Sequence, residues 1–440
     1  MIDLILLFSV VGVVIFLGFA GEIVFRKTSI PDIIWLILFG IVIGSFYDVQ
    51  GASIITDIAP VFTTFALIFI LFEGALSINI SDLFKSMSKT TVITLLSFVL
   101  AIAVVTGIFS AVGLPVLYGM LIGAILGGTT SAVVIPLSER LAIKSETVSI
   151  LKLESALNDV LCVLASITFI GIIVNIASFS LSKALNQLLG SFAIAILIGV
   201  VVALLWIPLL KFIQKHVKSY LITIALMLIL YAFVEYIHAN GAIACLAFGL
   251  VLGNSKKIYE LMRKDDTTAA LSGTERFFYS QISFFVKAFF FVYIGMLMDF
   301  SNPLPFIIGG VITIALFLIR PVAIAPYARK LELKDKAVLE TLIPKGLAAA
   351  VLAQLPSQMG IEIFQGFESM IMAVVLYTIL LSSLFVFLIE KNWFFGFTEL
   401  FRKLRGLPPL AKPAEVMVQK ADEEKKAEAR EETKKQQKKK

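Results

Sequence analysis

The sequence predicts an all-α, polytopic membrane protein with about thirteen transmembrane helices arranged as two inverted repeats. Three observations carry that prediction. Of the 440 residues, 59% are hydrophobic and only 15% charged, against roughly 45–50% and about 25% in soluble domains. Apolar runs close to the roughly 20 residues needed to cross a bilayer recur along the whole chain. Lysine and arginine gather in alternate loops between the runs, as the positive-inside rule requires. Mean hydropathy is +0.97, so a water-facing globule cannot hide the apolar surface. Soluble enzymes, nucleic-acid binders and disulfide scaffolds are thereby excluded, and the lipid bilayer is the first expected partner.

The runs occupy residues 4–20, 31–46, 59–78, 91–111, 117–137, 148–176, 188–212, 221–237, 242–252, 277–298, 306–328, 339–355 and 367–389, the second and ninth being short. Met1-Ile2-Asp3-Leu4 offers neither a basic leader nor a small-residue cleavage site, so the first run is expected to stay as a membrane helix. With the basic tail in the cytoplasm, thirteen spans put the N-terminus outside. The inner loops then hold Arg26 and Lys27; Lys85 and Lys89; Arg140 and Lys144; Lys211, Lys215 and Lys218; Lys256, Lys257, Arg263, Lys264 and Arg276; Arg329, Lys330, Lys334 and Lys336. The outer loops hold one base, Lys183. An even number of spans breaks this alternation. The expected location is the cell membrane, with many passes.

Residues 1–390 read as one transmembrane domain. At 391–405, Trp393, Phe394, Phe395, Phe397, Leu400 and Phe401 alternate with Lys391, Glu399, Arg402 and Lys403, as in an interfacial amphipathic helix or an aromatic belt. Residues 402–440 hold 13 Lys and Arg against 7 Asp and Glu, so the net charge of +6 lies there and the rest is neutral. Residues 406–440 read as a solvated, disordered cytoplasmic tail. Cys162 and Cys245 sit inside apolar runs as packing residues, with no disulfide framework. His216 and His238 fall at loop ends as surface residues.

A charge at mid-membrane costs roughly 2.5–3.5 kcal/mol on insertion scales, so each one invites a functional explanation. Deep candidates are Glu73, Glu154, Asp159, Lys287, Arg320 and Lys345: three acids and three bases, so ion pairing has to be weighed for each. In Glu154-Ser155-Ala156-Leu157-Asn158-Asp159, Ser155 shares a helix face with Asp159, and Glu154 with Asn158. Glu154 and Asp159 lie about 140° apart around the axis and meet different neighbours. One can be locked in an ion pair while the other faces a watery cavity beside a hydroxyl. Burial disfavours the charged form of a lone carboxylate, whereas a bound cation favours it. Competition between a proton and a monovalent cation for one acid is enough to make an exchanger. The plainer alternative pairs Asp159 with Lys287 or Lys345.

The fifth run carries Gly123, Gly127, Gly128, Thr129, Thr130 and Ser131, followed by Pro136, and the twelfth is interrupted at Pro344-Lys345-Gly346. Glycines and hydroxyls at mid-span weaken a helix and offer carbonyls to an ion, although close helix packing also uses small residues. The two interruptions are seven spans apart, and an odd shift inverts orientation. Paired broken helices in matching positions of inverted repeats point to a transport site at the bilayer midplane.

These residues resemble a known family. Glu154-Ser155-Ala156-Leu157-Asn158-Asp159 is similar to the signature of monovalent cation:proton antiporters, in particular the NhaP-like sodium/proton exchangers of prokaryotes. Phe72-Glu73-Gly74-Ala75-Leu76, Phe291-Val292-Tyr293-Ile294-Gly295-Met296 and Ile343-Pro344-Lys345-Gly346-Leu347 add to the resemblance, which covers about residues 1–390. It implies a six-helix core with two crossing, partly unwound helices, beside a dimerisation domain against which the core moves like an elevator. It also implies a homodimer and exchange of sodium, potassium or lithium for protons, with these ions as cargo and no cofactor. By position, Asp159 is expected to carry ion and proton, with Ser155 and Thr129 as ligands and Thr130, Asn158 and Glu73 close by. Glu154 is expected to pair with a core base, Arg320 first and Lys345 second. The Asn158-Asp159 pair resembles the electroneutral, one-for-one branch. Many relatives have Thr-Asp-Pro where this chain has Thr129-Thr130-Ser131. One carboxylate among hydroxyls makes a weaker field, which suits potassium as well as sodium. Lys287 is left to snorkel, to pair with Glu73 or to seal the core.

A cation channel is the competing function, since Thr129, Thr130 and Ser131 can line a filter, but a channel needs no lone titrating acid. A membrane enzyme is not expected: the chain has two histidines, both near loops, and no second deep aspartate to pair with Asp159 as an intramembrane protease requires.

Overall fold

Each apolar run folds as helix. The computed structural model describes residues 4–28, 31–46, 53–78, 90–141, 143–174, 181–213, 219–261, 271–298, 300–328, 331–361, 363–364 and 366–391. In chain order the helices are α1 (Leu4–Thr28), α2 (Asp32–Phe46), α3 (Ser53–Ser77), α4 (Thr90–Ala111), α5 (Val116–Leu126), α6 (Ser131–Arg140), α7 (Ser145–Val174) and α8 (Leu181–Ile213). There follow α9 (Ser219–Tyr236), α10 (Gly241–Gly253), α11 (Ser255–Leu261), α12 (Gly273–Leu297), α13 (Leu304–Ala328), α14 (Leu333–Thr341), α15 (Leu347–Gln358) and α16 (Phe367–Glu390). Among the described residues there is no strand. Among the described residues seven helical segments, the broken fifth run included, are long and apolar enough, by length and composition, to cross a membrane, and five more are shorter apolar helices. Leu205, Leu318 and Ile229 stand outward at 65–72% exposure, as a surface that meets hydrocarbon should.

Helix ends follow local chemistry. α12 starts at Gly273, ahead of the apolar run at 277, because Ser272 and Glu275 form a capping box: the Ser272 N–H donates to Glu275 Oε2 at 2.8 Å, and the Glu275 N–H to Ser272 Oγ at 3.2 Å. Asn240 caps α10 by accepting from the Ile243 N–H at 2.9 Å. The short α11 falls where the sequence reading placed only a loop.

Two breaks organise the fold. α5 and α6 are the two parts of the fifth run, separated by the non-helical residues 127–130; the last residues of α14 and then α15 make up the twelfth, separated by 342–346. Gly123 lies inside α5, contrary to its expected part in the break. A Cβ there would lie 2.6 Å from Ile102 Cα, so this glycine serves close packing on α4. In the twelfth run Pro344 lacks an N–H and disfavours helix at Ile343. The freed backbone groups find partners: the Lys345 N–H donates to Thr378 Oγ1 at 3.0 Å, the Ile343 N–H to Ser382 Oγ at 3.3 Å, and Ser382 Oγ to the Thr341 carbonyl at 3.2 Å. Thr378 and Ser382 share one face of α16, which supplies what water cannot inside a membrane.

The helices sort into two packed groups. One sets α2 against α12 and α10 against α3, α8 and α9; the other sets α4 against α5 and α13, and α7 against α5 and α6. α15 and α7 meet α3 where the groups join. α2 and α12 cross at Gly40 and Gly295, where any added Cβ would strike backbone at 2.2–2.3 Å. Phe72 is fully buried between Phe248 and Tyr279, at ring-centroid distances of 5.9 and 5.4 Å, which fixes the end of α3. Cys162 and Cys245 are buried free thiols, and His238 is exposed. The chain divides into Met1–Val386 and Phe387–Lys440. His216, nearly all of the 391–405 segment and all of the 406–440 segment lie outside the described residues.

Candidate functional site

The two breaks meet. The Thr130 N–H donates to the Pro344 carbonyl at 2.9 Å, and a Cβ on Gly346 would lie 2.4 Å from Thr130 Cβ. Only glycine allows that approach. Gly346→Ala is expected to force the breaks apart and lower stability by ~1–3 kcal/mol, the usual cost of overpacking. Thermal unfolding of the solubilised protein is the measurement, and an unchanged midpoint refutes the prediction.

Beside the crossing lies a cavity of about 1450 Å³, lined among others by Thr130, Ser131, Asp159, Glu73 and Lys287. It reaches Thr90, Glu146 and Arg276 near the starts of α4, α7 and α12, so it is a funnel from one end of these helices. Asp159 is the fifteenth of the thirty residues of α7, about 20 Å along the axis from Glu146. It is partly exposed to the cavity. Among the described residues it makes neither an ion pair nor a hydrogen bond, so the alternative pairing with Lys287 or Lys345 does not occur.

Five positions earlier on α7 the situation reverses. Glu154 is 1% exposed and takes both terminal nitrogens of Arg320, Nη2 to Oε2 at 2.7 Å and Nη1 to Oε1. Arg320 Nη1 also donates to Ser97 Oγ at 2.8 Å, and Nε to the Leu339 carbonyl at 2.9 Å. One guanidinium thus ties α4, α7 and α13 to the Leu339 carbonyl in the last turn of α14. Lys345 has no share in this: it is 3% exposed and makes no ion pair among the described residues. It borders a second cavity of about 20 Å³ with Thr129, Ser97 and Arg320.

The expected ligands divide between the two sides of the break. Thr130 and Ser131 face the large cavity with Asp159. Ser155 is fully buried and donates to the Lys152 carbonyl at 3.1 Å. Thr129 accepts from Asn158 Nδ2 at 3.5 Å, and Asn158 Oδ1 is buried with no hydrogen-bond partner. Glu73 lines the large cavity and accepts from Ser283 of α12. Lys287 pairs not with Glu73 but with Asp32, at 2.6 Å.

Sequence reasoning missed the α12 wall. Arg276, Ser280, Ser283 and Lys287 all line the cavity, and their spacing of four, three and four residues is a polar stripe of helical period in an aromatic run. That periodicity was available in the sequence. Asp32 carried no such signal, because it sits beside a predicted helix end where acids are common.

The transmembrane sodium/hydrogen exchanger family model matches residues 11–391. The chain is 24% identical over 362 residues to the K(+)/H(+) antiporter NhaP of Alkalimonas amylolytica, covering 80% of this chain and 60% of that protein. It is 31% identical over 174 residues to Na(+)/H(+) antiporter 1 of Methanocaldococcus jannaschii, covering 39% and 41%. The matches thus span less than two thirds of the length of these relatives. The solved structure of the sodium proton antiporter MjNhaP1 from M. jannaschii at pH 8 superimposes with a TM-score of 0.72 at 23% identity, covering 88% of this chain and 99% of that one. This last likeness is one of fold.

Proposed function

This chain belongs to the sodium/hydrogen exchanger family, a family of transporters and not of enzymes, and from that premise we propose that it exchanges a monovalent cation for a proton across a membrane. The observation that carries the reading is the Asp159 carboxylate, which has no ion pair or hydrogen bond among the described residues and lines a wide cavity at the crossing of two broken helices. Proton and cation compete for it: either neutralises the charge, and occupancy by one excludes the other. A single shared carrier makes the exchange one-for-one and electroneutral.

Thr130 and Ser131 are hydroxyls that line the cavity together with Asp159 and Glu73. Ser155, Thr129 and Asn158 form the packed side of the same break and complete the proposed ligand set when the site rearranges. Sodium is the first candidate cargo, and the weak field of hydroxyls also admits potassium and lithium. No cofactor is invoked.

By the loop charges, the ends of α4, α7 and α12 where the cavity opens are cytoplasmic and the N-terminus is outside, so this conformation faces inward in the cell membrane. Alternating access follows if the group holding α4–α7 and α13 slides against the other group like an elevator, within a homodimer.

The test is flux in proteoliposomes with an imposed pH gradient. Adding sodium, potassium or lithium is expected to collapse the gradient saturably, without a voltage clamp. Non-saturating flux or single-channel currents would establish a channel instead.

A further inference from the structure

We propose that Asp32 is a positioning residue that holds the Lys287 ammonium aside from the cation's route, so that this ion pair sets the affinity for the transported cation. The inference rests on reading the large cavity as that route.

A fixed positive charge in a cation's approach is a liability unless something neutralises it. Lys287 lines the cavity that also holds Glu73 and Asp159. Ser283, one turn earlier on the same face of α12, donates to Glu73, and the Lys287 charge is close enough to act on that carboxylate. Yet its ammonium goes to Asp32, with N–O at 2.6 Å. Phe284 steadies it, with the ring centroid 5.6 Å from Nζ.

Asp32 is itself held. It lies in the first turn of α2, where the helix dipole favours an acid, and is 7% exposed. Behind it stands Gly21 of α1, where an added Cβ would come within 3.2 Å of Asp32 Cβ. The Gly40–Gly295 contact locks α2 against α12, so the carboxylate and the ammonium cannot drift apart. Asp32 does not line the cavity. Its influence on a bound cation must pass through Lys287.

A purely structural ion pair makes a different prediction. Removing either partner then strands one charge and harms the protein in the same direction. If the pair governs the charge met by the cation, the two removals act in opposite directions. Asp32→Asn keeps the shape but frees the ammonium toward Glu73; Lys287→Gln removes the positive charge from the cavity.

The experiment measures KM and maximal rate for sodium and potassium with full-length protein in proteoliposomes. Asp32→Asn is expected to raise KM roughly tenfold, the factor that about 1.4 kcal/mol of added repulsion produces, with little change in maximal rate. Lys287→Gln lowers KM. The double variant, which carries neither charge, returns KM toward the wild-type value, and Asp32→Glu also restores it. Equal shifts of KM in the same direction for both single variants, or no shift, overturn the inference while wild-type exchange preserves the functional reading. Absence of exchange by the wild-type protein overturns both. Should Asp32→Asn not fold, wild type against Lys287→Gln decides alone: a lowered KM supports the inference, and an unchanged or raised one overturns it.

Discussion

Asp159→Asn is expected to abolish cation-driven proton movement in proteoliposomes while leaving the thermal stability of the protein near wild type. Both halves follow from one feature, that the carboxylate has no partner among the described residues. Asparagine keeps the shape but can neither take up a proton reversibly nor neutralise a cation. Since no base leans on Asp159, removing its charge strands nothing. In the wild-type protein, competition at this acid further requires that the apparent KM for the cation rise as pH falls while the maximal rate at saturating cation stays constant. Exchange by Asp159→Asn at the wild-type rate moves the carrier elsewhere; a large loss of stability means that the acid is structural.

Arg320→Met and Glu154→Gln should behave in the opposite way. Each leaves a buried charge without its counterion, which typically costs ~3–5 kcal/mol. Arg320 also holds Ser97 and the Leu339 carbonyl, so its loss reaches α4 and α14 together. Arg320→Lys is not expected to rescue, because an ammonium cannot span two carboxylate oxygens, a hydroxyl and a carbonyl in the fixed fork of a guanidinium. The double variant Glu154→Gln/Arg320→Met should recover much of the loss, since neither charge is then stranded. Thermal unfolding in detergent measures all four. A midpoint for Glu154→Gln within error of wild type would remove the strut from the account.

The contrast between the two acids of α7 was partly legible in the sequence. Their separation of about 140° on a helix already required different surroundings. Depth and charge did not separate the two bases for Glu154, since Arg320 and Lys345 are both deep, both basic and far away along the chain; only the family resemblance put Arg320 first. The decision rests on packing: α13 brings a planar fork against α7 and the end of α14, while Lys345 sits in the break with its backbone bound to α16. Lys287 shows the same limit. Pairing with Glu73 was one of three uses open to it, beside snorkelling and sealing the core, whereas its partner Asp32 lies at the margin of a span, where an acid draws no notice.

The breaks were visible as composition, in Gly127-Gly128 and Pro344-Lys345-Gly346, because glycine and proline act on the backbone locally. Their crossing was not, since contact between Thr130 and Gly346 depends on how two half-helices pack across more than two hundred residues. Hydropathy, loop charge and a six-residue signature are properties of the chain itself, and from them came the membrane class, the helix content and the choice of Asp159 as the acid to test. Pair identities, the cavity that opens on Asp159 and the polar wall of α12 facing it arise from distances between segments remote in sequence. Those distances are set by side-chain shape in close packing, which local patterning does not encode.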